Sequence, residues 1–126
     1  MRYRFEALSG RIIEAALEVH TVLGPGFVEA VYENALDIAL TARAIPFERQ
    51  KPVDVWFRGI VVGRHRIDLV VAQEIVVELK ATATLGPIYF AQVRSYLNAA
   101  GLPTGLLLNF NSTSLVIRRV IRRRTA

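Results

Sequence analysis

Cysteine is absent from this 126-residue chain. Disulfide scaffolds, thiolate nucleophiles and cysteine-held zinc or iron–sulfur centres are therefore excluded. Long hydrophobic runs are absent too, since no stretch approaches the ~18 consecutive apolar residues of a membrane span. The start, Met1-Arg2-Tyr3-Arg4-Phe5-Glu6, lacks the apolar segment of a secretory leader. The cytoplasm is the expected compartment, with no membrane partner. Internal repeats and low-complexity stretches are also missing. Lysine is scarce: of 16 cationic residues only Lys51 and Lys80 are lysines. A chain that otherwise uses arginine invites the question of what those two do.

What is present is enough for one domain, residues 1–126. Hydrophobic residues make up 52 % and mean hydropathy is +0.33, so a real core is expected rather than disorder. The formal net charge is +5, and five arginines near the end account for it: Arg118, Arg119, Arg122, Arg123 and Arg124. Without them the chain is neutral. A basic C-terminal tail from about 118 is expected, serving as a phosphate handle or as a solubilising end. Arg122, Arg123 and Arg124 are its candidate nucleic-acid contacts.

Periodicity divides the chain. Leu8, Ile12, Ala15, Ala16, Val19, Val22 and Leu23 recur at helical spacing, predicting a helix over 8–23 with Ser9 as its N-cap. Gly24-Pro25-Gly26 stops it. A second helix is predicted over 28–44, burying Val31, Ala35, Ile38 and Ala39. Val53, Val55 and Phe57 then alternate as a strand. Residues 60–71 and 75–80 predict two more, with a helix from Gly86-Pro87 to about Gly101 and strands over 104–110 and 114–120. The order ααβββαββ implies a mixed sheet with helices packed on it, an α/β or α+β arrangement.

The hairpin of the second and third strands carries the first constellation. A connection centred on Gln73 pairs Val71 with Ile75, which puts Asp68 opposite Glu78 and Arg66 opposite Lys80. Opposed side chains sit about 4.5–5.5 Å apart, where two carboxylates repel. A divalent cation between them would resolve the repulsion, with Lys80 on the same face to polarise a water. The competing reading is a checkerboard of surface salt bridges among Arg66, Asp68, Glu78 and Lys80. A second constellation lies on the third helix, where Gln92 and Tyr96 are four residues apart and share a face with Tyr89. They could orient a phosphate or a base, or Tyr89 and Tyr96 could be core aromatics. His20 and Glu29 flank the first helix junction, in places that helix dipoles alone would favour. His65, beside arginines, has no evident partner.

Gly26-Phe27-Val28-Glu29-Ala30-Val31-Tyr32 fits the pattern G-x-x-E-x-x-Y. Together with Val19-His20, Leu23-Gly24-Pro25-Gly26, Ile67-Asp68-Leu69, Val77-Glu78-Leu79-Lys80, Ala91-Gln92, Tyr96-Leu97 and Leu107-Leu108-Asn109-Phe110, it resembles the GxxExxY protein family over about residues 8–120. That family is placed in the PD-(D/E)xK nuclease superfamily, whose restriction-endonuclease-like core is αβββαβ. The resemblance implies Asp68 as the motif's Asp, Glu78 as its D/E and Lys80 as its Lys. Ile67 stands where the motif has Pro. Gln92 and Tyr96 resemble the Q-x-x-x-Y motif of RecB-like nucleases. In that branch an upstream His also holds metal, which makes His20 a candidate ligand and Glu29 the alternative.

The expectation is thus a Mg²⁺- or Mn²⁺-dependent nuclease acting on nucleic acid, with DNA as the expected substrate. Asp68, Glu78 and the Leu79 carbonyl, with His20 or Glu29, would bind the metal. Lys80 would activate water, and Gln92 and Tyr96 would orient substrate or lysine. A binding-only module and a partner-dependent accessory subunit are the rivals. A homodimer or a larger nuclease complex is left open.

Overall fold

A computed structural model describes residues 2–122, with side chains from Glu6 onward. Ile12, Ala15, Ala16 and Val19 recur every three or four residues and are buried along one face of α1 (Arg2–Leu23). The helix begins well before the expected start. Ser9 therefore lies inside it, its hydroxyl donating back to the Glu6 carbonyl at 3.2 Å rather than capping an end. Gly24, at φ 69°, ends the helix and donates its N–H to the His20 carbonyl at 2.8 Å.

α2 (Glu29–Ala42) buries Tyr32, Glu33, Leu36, Ala39 and Leu40. The expected face was rotated: Ile38 is 72 % exposed, and the aromatic and leucine positions beside it face the sheet instead. Tyr32 stacks on Phe110 with centroids 4.5 Å apart and donates its hydroxyl to the Gly24 carbonyl at 2.6 Å. The same hydroxyl accepts the Phe27 N–H at 3.2 Å. The tyrosine of the G-x-x-E-x-x-Y segment thus clamps the turn between α1 and α2.

Five strands follow in spatial order of sequence: β1 (Phe47–Phe57), β2 (Ile60–Val71), β3 (Ile75–Lys80), β4 (Thr104–Asn109) and β5 (Val116–Ile121). β3 and β4 are parallel, and every other neighbouring pair is antiparallel. A parallel pair needs a crossover. α3 (Pro87–Ala100) supplies it, opened by Pro87 in the first turn and closed by Gly101 in the left-handed region at φ 70°.

The sheet is covered on both faces. α1 and α2 pack on Leu69, Val71, Ile75, Val77, Leu79, Leu106 and Leu108. α3 packs Val93, Tyr96 and Leu97 on Ile67, Val76, Leu107 and Val120. Central strands between two helical layers lose polar alternation, as β3 and β4 do here. Gly105 lets α3 approach: a β-carbon there would stand 2.9 Å from Val93 Cγ1. Among the described residues no helix is long and apolar enough to cross a membrane.

The basic end is not simply a tail. Arg118 and Arg119 lie within β5, opposite Leu107 and Leu106. Arg119 reaches the Ser9 hydroxyl at 3.4 Å, while Arg118 bonds the Ile117 carbonyl. Arg122 follows the strand and is exposed; Arg123 and Arg124 lie outside the described residues.

Candidate active site

The hairpin register matches the expectation where the two strands pair: Val71 faces Ile75, Val70 faces Val76 and Leu69 faces Val77. Past that point β2 leaves β3. Arg66 pairs with Pro52 of β1 and not with Lys80, so the four-residue checkerboard does not form. The alternation of β2 also breaks at Asp68. Ile67 packs under α3, whereas Leu69 packs under α1 and α2.

Asp68 occupies that break. Its Oδ2 accepts the Leu79 N–H at 3.0 Å, standing in for the next rung of the ladder. Its Oδ1 accepts from Gln50 Nε2 at 3.3 Å. Gln50 adopts φ 50° in the middle of β1, and the same amide donates to Glu33 Oε1 at 2.9 Å. Glu33, buried on α2, also accepts from Arg49 at 2.9 Å. A chain of hydrogen bonds thus runs from α2 through β1 to Asp68. Glu33 and Gln50 carried no sequence signal that pointed to this role, because their meeting depends on how α2 lies across β1.

Glu78 is 4 % exposed on the α3 side of β3, next to Asp68. Burial pushes its carboxyl up to about 8, the neighbouring Asp68 charge adds to the rise, and Lys80 opposes it. Lys80 Nζ lies 3.6 Å from Glu78 Oε2 and 4.8 Å from the Tyr89 ring centroid. Glu78 Oε1 is buried without a hydrogen-bond partner. The ammonium at this distance does not offset the desolvation of a carboxylate shut in beside a second acid.

Tyr96 comes from α3 to the same place. Its phenol is raised to about 12 by burial, then by the charges of Glu78 and Asp68. Gln92, one turn earlier on the helix, is half-buried; its carbonyl accepts the Ser95 hydroxyl at 2.7 Å. His65, expected to be unpartnered, lies edge-on to Tyr96 at 4.6 Å and within 3.1 Å of Ser95 Oγ. Asn109, opposite Lys80 on β4, ties down the chain after β3 through Thr82: its Nδ2 donates to the Thr82 carbonyl at 2.9 Å. The Lys80 carbonyl is itself held by the Phe110 N–H at 2.9 Å.

The other candidates lie apart. His20 Nε2 is 2.9 Å from the Ser112 carbonyl, and its ring lies 6.1 Å from Phe110 on the α1 side of the sheet. Glu29 is exposed in the first turn of α2. Among the described residues no three His, Asp or Glu side chains group as metal ligands. Asp68 and Glu78 nonetheless fit a hard divalent cation. They present two carboxylates side by side, one with an orphaned buried oxygen, and such ions take one or two carboxylates with water and phosphate completing the shell.

A pH dependence follows for the metal-free protein. Folded Glu78 keeps its proton up to about 8, while unfolded Glu78 releases it near the ordinary glutamate value of 4.5. Between these values the native state holds more protons, so stability falls as pH rises. Urea unfolding across that window should show a loss on the order of 2–4 kcal/mol. Glu78→Gln should flatten the profile. A flat profile for the parent protein would mean that Glu78 is solvated and not shut in.

A family model described as the PD-(D/E)XK nuclease superfamily matches residues 6–123. No curated protein matches the sequence. Among solved structures, the crystal structure of SSO0001 is similar, with TM-score 0.61 and 17 % identity over 76 % of this chain and 50 % of that one. An alkaline exonuclease (LHK-Exo) from Laribacter hongkongensis is similar with TM-score 0.53 and 11 % identity, over 69 % of this chain and 52 % of its own. The chain thus spans about half the length of each, and the likeness is one of fold.

Proposed function

This chain belongs to the PD-(D/E)XK nuclease superfamily, whose members generally use divalent metals, and from that premise we propose that it hydrolyses phosphodiester bonds in DNA with Mg²⁺ or Mn²⁺. The observation that carries the reading is the buried, unpartnered Glu78 Oε1 beside Asp68 and Lys80. A structural salt bridge would have no reason to bury two acids side by side with one lysine between them and solvent. Asp68, Glu78 and the Leu79 carbonyl are the proposed ligands. The G-x-x-E-x-x-Y segment supports placement with the GxxExxY family, and Gln92 with Tyr96 supports the RecB-like branch.

When bound, the cation would stabilise negative charge developing on the scissile phosphate. The side chains do the rest. Gln50 and the Leu79 amide hold Asp68 in place. Lys80 is positioned to hold and orient the attacking water beside Glu78. Tyr96, kept protonated by its surroundings, can donate to a phosphate oxygen. Arg122, Arg123 and Arg124 would add sequence-independent attraction to the backbone.

The test is a cleavage assay on end-labelled single- and double-stranded DNA. Cleavage is expected with Mg²⁺ or Mn²⁺ and none with chelator. A pure protein that binds DNA without cutting it under any divalent cation would reduce the site to a binding module.

A further inference from the structure

β2 is twice as long as the strand it pairs with on its inner side. β3 pairs with it only at Leu69, Val70 and Val71. From Ile67 to Ile60 its registered partner is β1, down to Phe57 opposite Ile60. The two strands therefore continue beyond β3 as a two-stranded ribbon whose base packs on α3 through Val53 and His65. Because β2 runs antiparallel to β3 and Asp68 bonds Leu79, the ribbon leaves at the end where Glu78 and Lys80 stand.

The tip of this ribbon is unlike an ordinary solvated hairpin. Trp56 and Phe57 are 62 % and 61 % exposed, and Ile60 and Val62 are exposed beside them. Arg58 forms the turn at φ 51°, its guanidinium 5.4 Å from the Phe57 ring centroid. Arg64, ion-paired with Asp54 at 3.0 Å, and Arg66 are exposed further along, and Asp54 is the only acid in residues 54–66. Trp56 also borders a cleft of about 320 Å³ against α3, lined by His65, Ser95 and Asn98. His65 in turn touches Tyr96, so the cleft adjoins the site.

We propose that this ribbon is a nucleic-acid contact surface that takes unpaired bases on Trp56 and Phe57 and their phosphates on Arg58, Arg64 and Arg66. The proposal rests on the hydrolytic reading of the adjoining site and names the form of substrate it receives. Exposed aromatic faces stack on any base, and arginines beside them neutralise the backbone without reading sequence. A second copy of the chain fits the tip poorly, since tip-to-tip contact would press like charges together.

Trp56 is the one tryptophan of the chain, so its fluorescence reports on the tip alone. Oligo-dT is titrated into the full-length protein in chelator, where no hydrolysis occurs. The expected result is quenching of tryptophan emission that saturates with binding measured by anisotropy of labelled oligo-dT. Trp56→Ala with Phe57→Ala should weaken that binding by at least roughly tenfold, with unchanged circular dichroism. Arg58→Gln, which touches no packed residue, should lower the log–log salt slope by about 1.

Binding of oligo-dT with silent tryptophan emission, or equal binding by the double variant, would overturn the proposal. So would a response to anionic vesicles but none to oligo-dT, or a double variant whose only change is loss of self-association. The two readings separate cleanly. Metal-dependent cleavage with a silent Trp56 leaves hydrolysis standing and removes the ribbon. Quenching by oligo-dT without cleavage under any divalent cation does the reverse.

Discussion

Replacing Lys80 by alanine should lower DNA cleavage by roughly 10²–10⁴, the cost of losing one positioned electrostatic or acid–base group. The fold should survive. Lys80 sits at the end of β3, its backbone is held by Phe110, and its ammonium makes one 3.6 Å ion pair with Glu78. With the lysine gone, Glu78 loses the one charge that favours its ionised form, so its carboxyl, already protonated at neutral pH, stays neutral. No bare charge is left in the core, so unfolding measurements near neutral pH should change little. Lys80→Arg should not restore activity. A planar guanidinium at this position would stack on Tyr89 and fork onto Glu78, tying up the carboxylate rather than leaving it for a cation. If Lys80 is only a salt-bridge partner, arginine should serve equally and alanine should cost about 0–1 kcal/mol of stability. Cleavage by Lys80→Ala at the parental rate would end the mechanism proposed for this lysine.

The second large effect concerns the paired carboxylates. At a hundredfold excess over its dissociation constant, a cation that binds only the folded state adds about 2.7 kcal/mol. For a chain of this size that is a rise in Tm on the order of 10 °C. Asp68→Asn should abolish the rise and the cleavage together. The amide oxygen can still accept from Leu79, so the local backbone should hold. It cannot supply a second anionic oxygen beside Glu78. The same substitution removes a charge that pushes Glu78 upward, so the metal-free variant should lose less stability on going from acid to alkaline pH than the parent does. Titration of Mn²⁺ with the melting point as readout separates the ion from the chemistry. A Tm rise that persists in Asp68→Asn would place the cation elsewhere.

Much of the geometry of the candidate site was legible in the sequence because it is local. Asp68, Glu78 and Lys80 lie on one hairpin with a short connection. Pairing Val71 with Ile75 follows from that connection, and Val70–Val76 and Leu69–Val77 follow by counting; the ladder ends there, and Asp68 meets the Leu79 N–H through its side chain instead of pairing with Glu78. The period of two then puts Glu78 and Lys80 on one face. The count failed where a local rule stopped applying. Arg66 does not face Lys80, because β2 continues past β3 and keeps only β1 as its neighbour. Ile38 is exposed for a similar reason. Helical spacing identifies an apolar stripe, but which edge of it meets the sheet depends on how α2 lies across α1. His65 looked unpartnered in sequence, and its contacts with Ser95 and Tyr96 lie 30 or more residues away.

The order of helices and strands, the mixed sheet and the proximity of Asp68 to Glu78 were determined by the chain itself, since periodicity, turn residues and hairpin counting are short-range properties. What only the tertiary structure decided is the environment of those groups. α3 closes over Glu78 and brings Tyr96 beside it, and this burial is what holds the carboxyl near 8 and leaves Oε1 without a partner. α2 and β1 bring Glu33 and Gln50 to Asp68 from residues 18 or more positions away in the chain. The extent to which β2 outruns β3 creates the ribbon that carries Trp56. Desolvation and long-range hydrogen bonds depend on which elements pack together, and no local pattern of residues encodes that.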